Sequence, residues 1–306
     1  MYSKSDIING IKQPGKVIEE LKNLRTRIPE RYHRRYTGRK YDTGINIMNE
    51  NWDNLIVIDA CRYDLFKKVN AIEGELKCVT SKASQTTEWF EQNFDGKVFP
   101  DTVFIAGNPN IDQISAEFTD IIRMWEENWN EDYGTALPET MVNKTLETSQ
   151  KYPDKRLISM FVQPHAPFLG ETGRSIDQAG FTGGGVIKDQ REIESLWHRT
   201  ARGDLETDTV FRAYEENLEI LMPHLTKLTN ELEGKTVITS DHGNAFGEKY
   251  IYGHPSGVHI DPLVQVPWLE INTNNRKTIS ETEELVSTGE SNEEKIESRL
   301  SDLGYM

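Results

Sequence analysis

The chain has 306 residues and a formal charge of −15, because 50 acidic side chains outnumber 35 basic ones. Its length suits one α/β domain with insertions, and its 36% of hydrophobic residues are enough for a core. The acidic balance argues against nucleic acid as the main partner, since phosphate backbones are bound by basic surfaces.

Residues 1–45 form a basic arm ahead of the predicted domain. Lysine and arginine recur between residues 12 and 40, and IEELKNLRTRIPERYHRRY predicts a short helix that breaks before Pro29. We favour an arm that packs against the acidic body. The alternative is a patch for an anionic substrate or for peripheral contact with a membrane. No apolar run reaches 18 residues and no apolar leader core is present, so we expect a cytoplasmic protein.

Short apolar runs predict the strands of a buried sheet: 54–58, 102–106, 157–162, 236–239 and 266–271. Runs that are apolar on both faces are typical of a parallel sheet covered by helices. Apolar residues three and four positions apart predict a helix over 209–233, with Gly234 at its C-terminal end. The alternation predicts an α/β fold over residues 46–271, namely a three-layer α/β/α sandwich with a mostly parallel central sheet.

Two segments depart from this pattern. Residues 169–207 are polar and contain a run of glycines, which predicts an insertion or lid over the sheet edge. Residues 272–306 are acidic and poor in aromatic residues, and they predict a tail or a loosely docked final helix. Cys61 and Cys78 lie in apolar surroundings without metal-ligand spacing, so we favour two buried thiols over a disulfide.

Acidic and imidazole side chains follow three of the predicted strands. Asp59 follows the first strand, His165 the third, and Asp241 and His242 the fourth. Ligands in open α/β sheets bind beyond the carboxyl ends of the strands, so these side chains predict a site at one edge. Asp59, Asp241 and His242 suit one or two divalent cations such as Zn²⁺, Mn²⁺, Mg²⁺ or Ca²⁺, although Asp59 alone also fits a helix cap. Gly243 would let the backbone turn sharply after the ligand pair.

A candidate nucleophile lies in KCVTSKASQTTEWFEQNF, between a predicted strand and a helix. A hydroxyl at a helix N-terminus experiences a positive potential that also attracts an anionic substrate, and a bound metal ion would lower its pKa. Thr86 and Ser84 fit this position best. The other hydroxyls of the segment fit it less well: Thr80, Ser81 and Thr87. The alternative is an ordinary helix cap without chemistry.

Together these segments resemble the alkaline phosphatase superfamily, and within it the sulfatase-like branch that includes lipoteichoic acid synthases and phosphoethanolamine transferases. The resemblance spans about residues 52–271 and is strongest in TSDHGNAFGEKYIYGHPSG followed by VPW. It implies an α/β/α sandwich that binds one or two divalent metal ions. It also implies that Asp59, Asp241 and His242 are metal ligands, and that Thr86 is both nucleophile and ligand.

The same resemblance implies roles for two further histidines. His165, in QPHAPF, would bind substrate, and His254, in YGHP, would contact a second metal ion or the transferred group. The chain departs from the family in three places. Ala60 replaces the second acid of a tandem pair, the formylglycine signature is absent, and Thr87 replaces a proline, which leaves Ser84 open as the nucleophile. The missing formylglycine signature favours phosphate over sulfate esters.

We therefore expect a metal-dependent hydrolase of phosphate or sulfate esters, acting on a small-molecule, glycan or lipid ester with a threonine nucleophile. One alternative is a transferase of phosphoryl headgroups in glycan or lipid modification. The other is a catalytically inactive relative that binds or scaffolds. The oligomeric state stays open.

Some polar residues near these motifs have less defined expectations. Arg62 and Lys249 are placed to neutralise a phosphoryl oxygen, and Glu248 to form a hydrogen bond near the metal. His259 is either an extra ligand or a surface histidine, and His198 is expected to be unrelated to the site.

Overall fold

The computed structural model describes residues 27–37, 44–178, 195–271 and 275–305. Most of the predicted basic arm, and residues 179–194 of the predicted insertion, lie outside the described residues. Residues 27–36 form a helix that includes Pro29, so the break expected before this proline is wrong. The fixed φ of proline is itself close to the helical value.

Within the described residues, eight strands form one central sheet, and two short strands pair separately. The strands are β1 (Asn54–Asp59), β2 (Glu75–Thr80), β3 (Lys97–Ala106), β4 (Ala116–Arg123), β5 (Arg156–Pro164), β6 (Thr236–Ser240), β7 (Ala245–Phe246), β8 (Tyr252–Gly253), β9 (Gln265–Ile271) and β10 (Val286–Ser287). The sheet order is β10-β4-β3-β5-β1-β6-β9-β2, and the separate pair is β7-β8.

The five central strands β4, β3, β5, β1 and β6 are parallel to one another. The outer strands β10, β9 and β2 pair antiparallel. The predicted mostly parallel sheet is confirmed, and the five predicted apolar runs lie in β1, β3, β5, β6 and β9. Cys61 is buried but Cys78, on the outer strand β2, is exposed, and both are free thiols. The expectation of two buried thiols is therefore wrong for Cys78, because an outer strand keeps contact with solvent.

Helices cover both faces of the sheet. Leu55 and Val57 of β1 belong to one buried core, whereas Ile56 and Ile58 belong to the other. This alternation follows from the two-residue period of a strand and makes the fold a three-layer sandwich. After the helix over 27–36, the described α-helices are α1 (Tyr63–Val69), α2 (Thr86–Asn93), α3 (Met124–Glu127), α4 (Pro138–Lys151), α5 (Glu171–Arg174), α6 (Leu196–Arg202), α7 (Thr207–Glu231), α8 (Asp261–Val264) and α9 (Glu293–Asp302).

The core containing Ile56 is covered by α1, α4 and α7, and the core containing Leu55 by α2 and α3. The predicted helix over 209–233 corresponds to α7. Among the described helices, none combines the length and the apolar composition needed to cross a bilayer.

The acidic segment after β9 is packed onto the domain over residues 275–305. Strand β10 extends the sheet by pairing with β4, and α9 follows it. Ile296, Leu300 and Leu303 are buried. Their spacing of four and three residues is that of an amphipathic helix, a periodicity that the acidic composition of the segment obscures. A composition typical of a tail is therefore compatible here with a segment that contributes to the core.

Candidate metal centre and active site

The carboxyl edge of the sheet carries a compact group of buried polar side chains. Asp59 ends β1, while Asp241 and His242 directly follow β6. These two strands are adjacent and parallel, so their carboxyl ends meet at this edge. One ligand atom from each of the three side chains lies within 4.8 Å of the others, and all three residues are fully buried. The structure thus brings together three of the five residues predicted to be metal ligands, Asp59, Asp241 and His242.

Asp241 directs one carboxylate oxygen to the backbone and the other towards this group. Its Oδ1 accepts hydrogen bonds from the backbone N–H groups of Ala60 and His242, at 3.0 and 2.8 Å. Its Oδ2 is buried without a hydrogen-bond partner among the described residues. A buried oxygen of this kind has lost its hydrogen bonds to water and gained none from the protein, which destabilises the folded state. Asp241 Oδ2 is therefore available to a cation.

His242 faces the two carboxylates with a lone pair. Its Nδ1 lies 2.8 Å from the backbone oxygen of Gly243, which only accepts hydrogen bonds, so in the neutral ring Nδ1 carries the proton. Nε2 lies 3.6 Å from Asp59 Oδ1 and 3.4 Å from Asp241 Oδ2. Lone pairs at these distances repel one another unless a cation lies between them. Two carboxylates and an imidazole suit a divalent metal ion, so the donor set fits the predicted cofactor.

The electrostatics of Asp59 agree with a cation site. Burial, followed by the negative charge of Asp241, raises the pKa of Asp59 well above its ordinary value. Hydrogen bonds from neighbouring side chains act in the opposite direction but do not offset these effects. A bound cation would favour the ionised carboxylate, so metal and proton compete at this residue.

Thr86 is the hydroxyl that joins this group. It is the first residue of α2 and is fully buried, with Oγ 3.1 Å from His242 Nε2 and 3.5 Å from Asp59 Oδ1. Ser84 Oγ instead lies 3.0 Å from a carboxylate oxygen of Glu88 and 3.1 Å from the backbone oxygen of Pro255. Of the two hydroxyls left open by the sequence, only Thr86 is placed against the candidate metal ligands.

Two further hydroxyls of this segment also have partners outside this group. Thr87 Oγ is 3.3 Å from Asn110 Oδ1, and Ser81 Oγ donates to the backbone oxygen of Asp241. The Ser81 contact supports the loop that carries the candidate ligand without directing its hydroxyl to the cation position.

His165 and His254 form a pair beside the candidate ligands. Their Nε2 atoms are 3.0 Å apart, and the ring of His254 lies 4.7 Å from that of His242. His165 Nδ1 lies 2.6 Å from the backbone oxygen of Ala166, which fixes its proton on Nδ1. Burial lowers the pKa of His165 to about 4 and that of His254 well below its ordinary value. Both rings are therefore neutral at pH 7, and His254 Nε2–H donates to His165.

Asn108 and Tyr305 belong to the same group but were missed by sequence reasoning. Asn108 Nδ2 donates to Asp59 Oδ2 at 2.8 Å, and the Tyr305 hydroxyl lies 3.0 Å from that oxygen and 2.9 Å from Thr86 Oγ. Asn108 had a usable signal, because AGNPN directly follows the predicted strand 102–106 at the same edge. Tyr305 had none, since it is 219 residues from Thr86 in the chain.

The less defined candidates lie outside this group. Arg62 and Glu248 form an ion pair with each other at 2.5 Å. Lys249 is exposed. His259 Nε2 lies 3.2 Å from Glu88 on α2, which makes His259 a support for the helix that positions Thr86.

A pocket of about 240 Å³ lies beside this group. Its lining includes His254 and Tyr305 on the inner side, and Glu30 of the helix over 27–36. His198, expected to be unrelated, also lines it. The pocket therefore borders the candidate site through His254 and Tyr305, whereas Thr86 itself is fully buried.

Gly243 is required for close packing rather than for a turn. It is absent from the glycines with positive φ, but a Cβ at this position would lie 2.2 Å from the backbone oxygen of Pro262. We expect Gly243→Ala to lower the free energy of unfolding by about 1–3 kcal/mol, because the crowding atom is backbone. Urea unfolding of the two proteins measures this difference. An unchanged free energy would show that the loop after β6 relaxes freely.

Comparison with known proteins gives similarity at the level of structure. No family model matches the sequence, and no curated protein matches it. An integral membrane lipooligosaccharide phosphoethanolamine transferase A from Neisseria meningitidis has a TM-score of 0.47 and 14% identity. That match covers 74% of this chain and 47% of the transferase, so this chain spans about half of its length.

Two further structures show a similar degree of likeness. The C-terminal periplasmic domain of EcEptC from Escherichia coli, in complex with Zn, has a TM-score of 0.45 and 12% identity, over 76% of each chain. A 2-O GAG sulfatase has a TM-score of 0.47 and 10% identity, over 73% of this chain and 64% of that one. The structures to which this chain is similar thus include phosphoethanolamine transferases, sulfatases and a lipoteichoic acid synthase.

Proposed function

We propose that this chain is a metal-dependent enzyme that cleaves phosphate esters with Thr86 as its nucleophile. The observation that supports this most directly is the buried Thr86 hydroxyl, 3.1 Å from His242 Nε2 and 3.5 Å from Asp59 Oδ1. Its hydrogen-bond partners among the described residues are side chains of this group: Asp59, His242 and Tyr305. A helix cap would bond its own backbone instead. A hydroxyl among candidate metal ligands suits nucleophilic ester chemistry.

The proposed reaction has two steps. In the first, Thr86 Oγ forms a bond to phosphorus while the bond to the leaving oxygen breaks, which leaves a phosphorylated Thr86. The Thr86 proton passes to solvent, and the leaving group takes a proton from solvent. In the second, water attacks the same phosphorus and releases phosphate, and Thr86 regains a proton. A divalent cation held by Asp59, Asp241 and His242 would lower the pKa of the hydroxyl and offset phosphoryl charge.

The histidine pair is suited to bind the phosphoryl group by hydrogen bonds. His165 carries its proton on Nδ1, towards Ala166, so its Nε2 accepts. His254 Nε2–H can then donate its hydrogen bond to an arriving phosphoryl oxygen instead of to His165. We therefore assign the donor role to His254 and the orienting role to His165. This refines the expectation from the motifs, in which His165 contacts the substrate directly.

The volume of the pocket indicates a class of substrate, and the acceptor is either water or an alcohol. A pocket of about 240 Å³ suits a small phosphate ester or the headgroup of a glycan or lipid. With water as acceptor the enzyme is a hydrolase, which we favour, and with an alcohol it is a transferase. Product analysis with and without an acceptor alcohol separates the two. The inactive alternative would predict loss of ligands, whereas Asp59, Asp241 and His242 are together.

A panel of esters tests the proposal. Protein loaded with Zn²⁺, Mn²⁺ or Mg²⁺ is incubated with nitrophenyl phosphate, bis(nitrophenyl) phosphate and nitrophenyl sulfate. We expect release of nitrophenol from a phosphate ester, and a phosphorylated peptide containing Thr86 on acid quench. The proposal is wrong if metal analysis finds no stoichiometric divalent ion, or if the loaded protein cleaves no phosphate ester in the panel.

Removal of the metal ion is expected to destabilise the protein. A ligand that binds only the folded state, present at a thousandfold excess over its dissociation constant, stabilises by about 4 kcal/mol. Chelation should therefore lower the unfolding temperature, and the effect should shrink as pH falls, because the raised pKa of Asp59 favours the proton over the cation. Thermal unfolding at pH 5 and pH 7.5, with and without chelator, measures both effects. Equal unfolding temperatures at pH 7.5 would contradict a buried metal centre.

A further inference from the structure

We propose that Tyr305 is a catalytic residue, whose phenol donates a hydrogen bond to the phosphoryl group while that group is bonded to Thr86. This inference rests on the proposed function. The Tyr305 hydroxyl lies 2.9 Å from Thr86 Oγ, the atom that would bond to phosphorus. The phosphoryl oxygens on a phosphorus bonded to Thr86 lie two bonds from Oγ, which puts them within reach of this phenol. Its ring is stacked on His165, with centroids 5.0 Å apart and planes 3° from parallel.

Asn108 orients the phenol. Asn108 Oδ1 accepts a hydrogen bond from the backbone N–H of Asn110 at 3.0 Å, so its Nδ2 must face the site. From there Nδ2 donates to Asp59 Oδ2 at 2.8 Å and to the Tyr305 oxygen at 3.0 Å. Because the phenol oxygen accepts from Asn108, its single proton is directed to the remaining neighbours, Asp59 Oδ2 and Thr86 Oγ. A donor group thus lies 2.9 Å from the reacting oxygen, and its proton can turn from Asp59 Oδ2 to an arriving phosphoryl oxygen.

The segment that carries Tyr305 is anchored as part of the domain. Strand β10 is hydrogen-bonded to β4, and Leu303, two residues before the tyrosine, is fully buried. Asp302 accepts a hydrogen bond from Trp129 Nε1 at 3.1 Å, and Gly304 adopts a φ of +77°, which turns the chain towards the site. These contacts fix Tyr305 in place as a lining residue of the pocket. A detachable plug, the competing interpretation, would lack such anchoring.

Tyr305→Phe tests the role, because it removes the hydroxyl and keeps the ring that stacks on His165. We expect kcat for the phosphate ester to fall by about 10²–10³-fold, the loss seen when one transition-state donor is removed, with KM changed by less than about threefold. Orthovanadate, which mimics the five-coordinate phosphorus, should bind more weakly to the variant in calorimetry by a similar factor. Metal content and unfolding temperature should stay as in the wild type.

Tyr152→Phe is the matched control. The Tyr152 hydroxyl also donates a partly buried hydrogen bond, to Asp120 Oδ2 at 2.6 Å. Tyr152 precedes β5, however, and so lies at the opposite edge of the sheet. This variant should keep the wild-type kcat and vanadate affinity. Wild-type kcat and vanadate affinity in Tyr305→Phe would overturn the proposal, and a faster Tyr305→Phe would show instead that the tyrosine obstructs the site.

Failure of the wider mechanism gives a different result. If Thr86→Ala keeps the wild-type rate, the proposed nucleophile is wrong, and with it the assignment of Tyr305. If Thr86→Ala is inactive while Tyr305→Phe matches the wild type, the nucleophile stands and only the role of Tyr305 is overturned.

Discussion

Thr86→Ala is expected to lower kcat for phosphate esters by at least ~10⁴-fold, as removal of a catalytic nucleophile does in other enzymes. The reason is that the Thr86 oxygen is the atom that bonds to phosphorus, and alanine offers no replacement. Asp59, Asp241 and His242 are untouched, so the variant should keep its divalent metal and its fold. Steady-state kinetics, metal analysis and thermal unfolding of the same preparation measure all three.

Two neighbouring substitutions sharpen this test. Thr86→Ser restores a hydroxyl at the same position and should recover activity to within roughly tenfold of the wild type, the loss reflecting freer rotation of the hydroxyl. Ser84→Ala removes a hydroxyl that contacts Glu88 and the backbone of Pro255, and it should leave kcat unchanged. Activity in Thr86→Ala, or its loss in Ser84→Ala, would reverse the choice between the two hydroxyls.

Asp241→Asn is expected to abolish both metal binding and turnover while the chain stays folded. The amide oxygen can still accept from the N–H groups of Ala60 and His242. The amide nitrogen replaces the unpartnered Oδ2, so a ligand atom becomes a donor that cannot bind a cation. The substitution also removes the carboxylate whose charge raises the pKa of Asp59. In chelator, the variant should therefore unfold at the same temperature as the wild type or higher.

Asp120→Asn serves as the control for this charge change. Asp120 accepts from Tyr152, away from the candidate metal ligands, so this variant should keep metal and activity. Calorimetric titration with Zn²⁺ and thermal unfolding, each with and without chelator, compare the proteins. Stoichiometric, tight metal binding by Asp241→Asn would contradict the assignment of Asp241 as a ligand.

The unfolding temperature of Asp241→Asn, relative to the wild type, is expected to respond in opposite directions with and without metal, and this distinguishes two roles of Asp241. A residue that only supports the loop after β6 would destabilise the protein in both conditions when it is changed. A metal ligand should cost stability only when the cation is present, because the bare carboxylates repel one another.

The sheet and the edge that holds the site were predictable because they follow from local pattern. Apolar runs of strand length identify β1, β5 and β6, and the residues that come next in the chain must lie at their carboxyl ends. Asp59 and the Asp241–His242 pair could therefore be placed at one edge before any coordinates. The same reasoning applies to Asn108, which comes two residues after the end of the predicted strand 102–106.

The choice between Thr86 and Ser84 required the tertiary structure. Both hydroxyls lie at the start of α2, and a difference of two residues in the chain decides which of them faces the ligands. Glu88, Pro255 and Val258 bind Ser84 and turn it away, and two of these contacts come from more than 170 residues further along the chain. Local pattern contains no information on such contacts.

The sequence by itself determined the fold class and the candidate ligands Asp59, Asp241 and His242, because strand periodicity and order along the chain suffice for both. Only the tertiary structure decided that Tyr305 reaches Thr86 and that Gly243 is needed for close packing against Pro262. Composition marked the segment of Tyr305 as an acidic tail, since the surface residues of α9 outnumber its buried ones. Its place in the site depends on the packing of Ile296, Leu300 and Leu303, a long-range interaction that composition does not report.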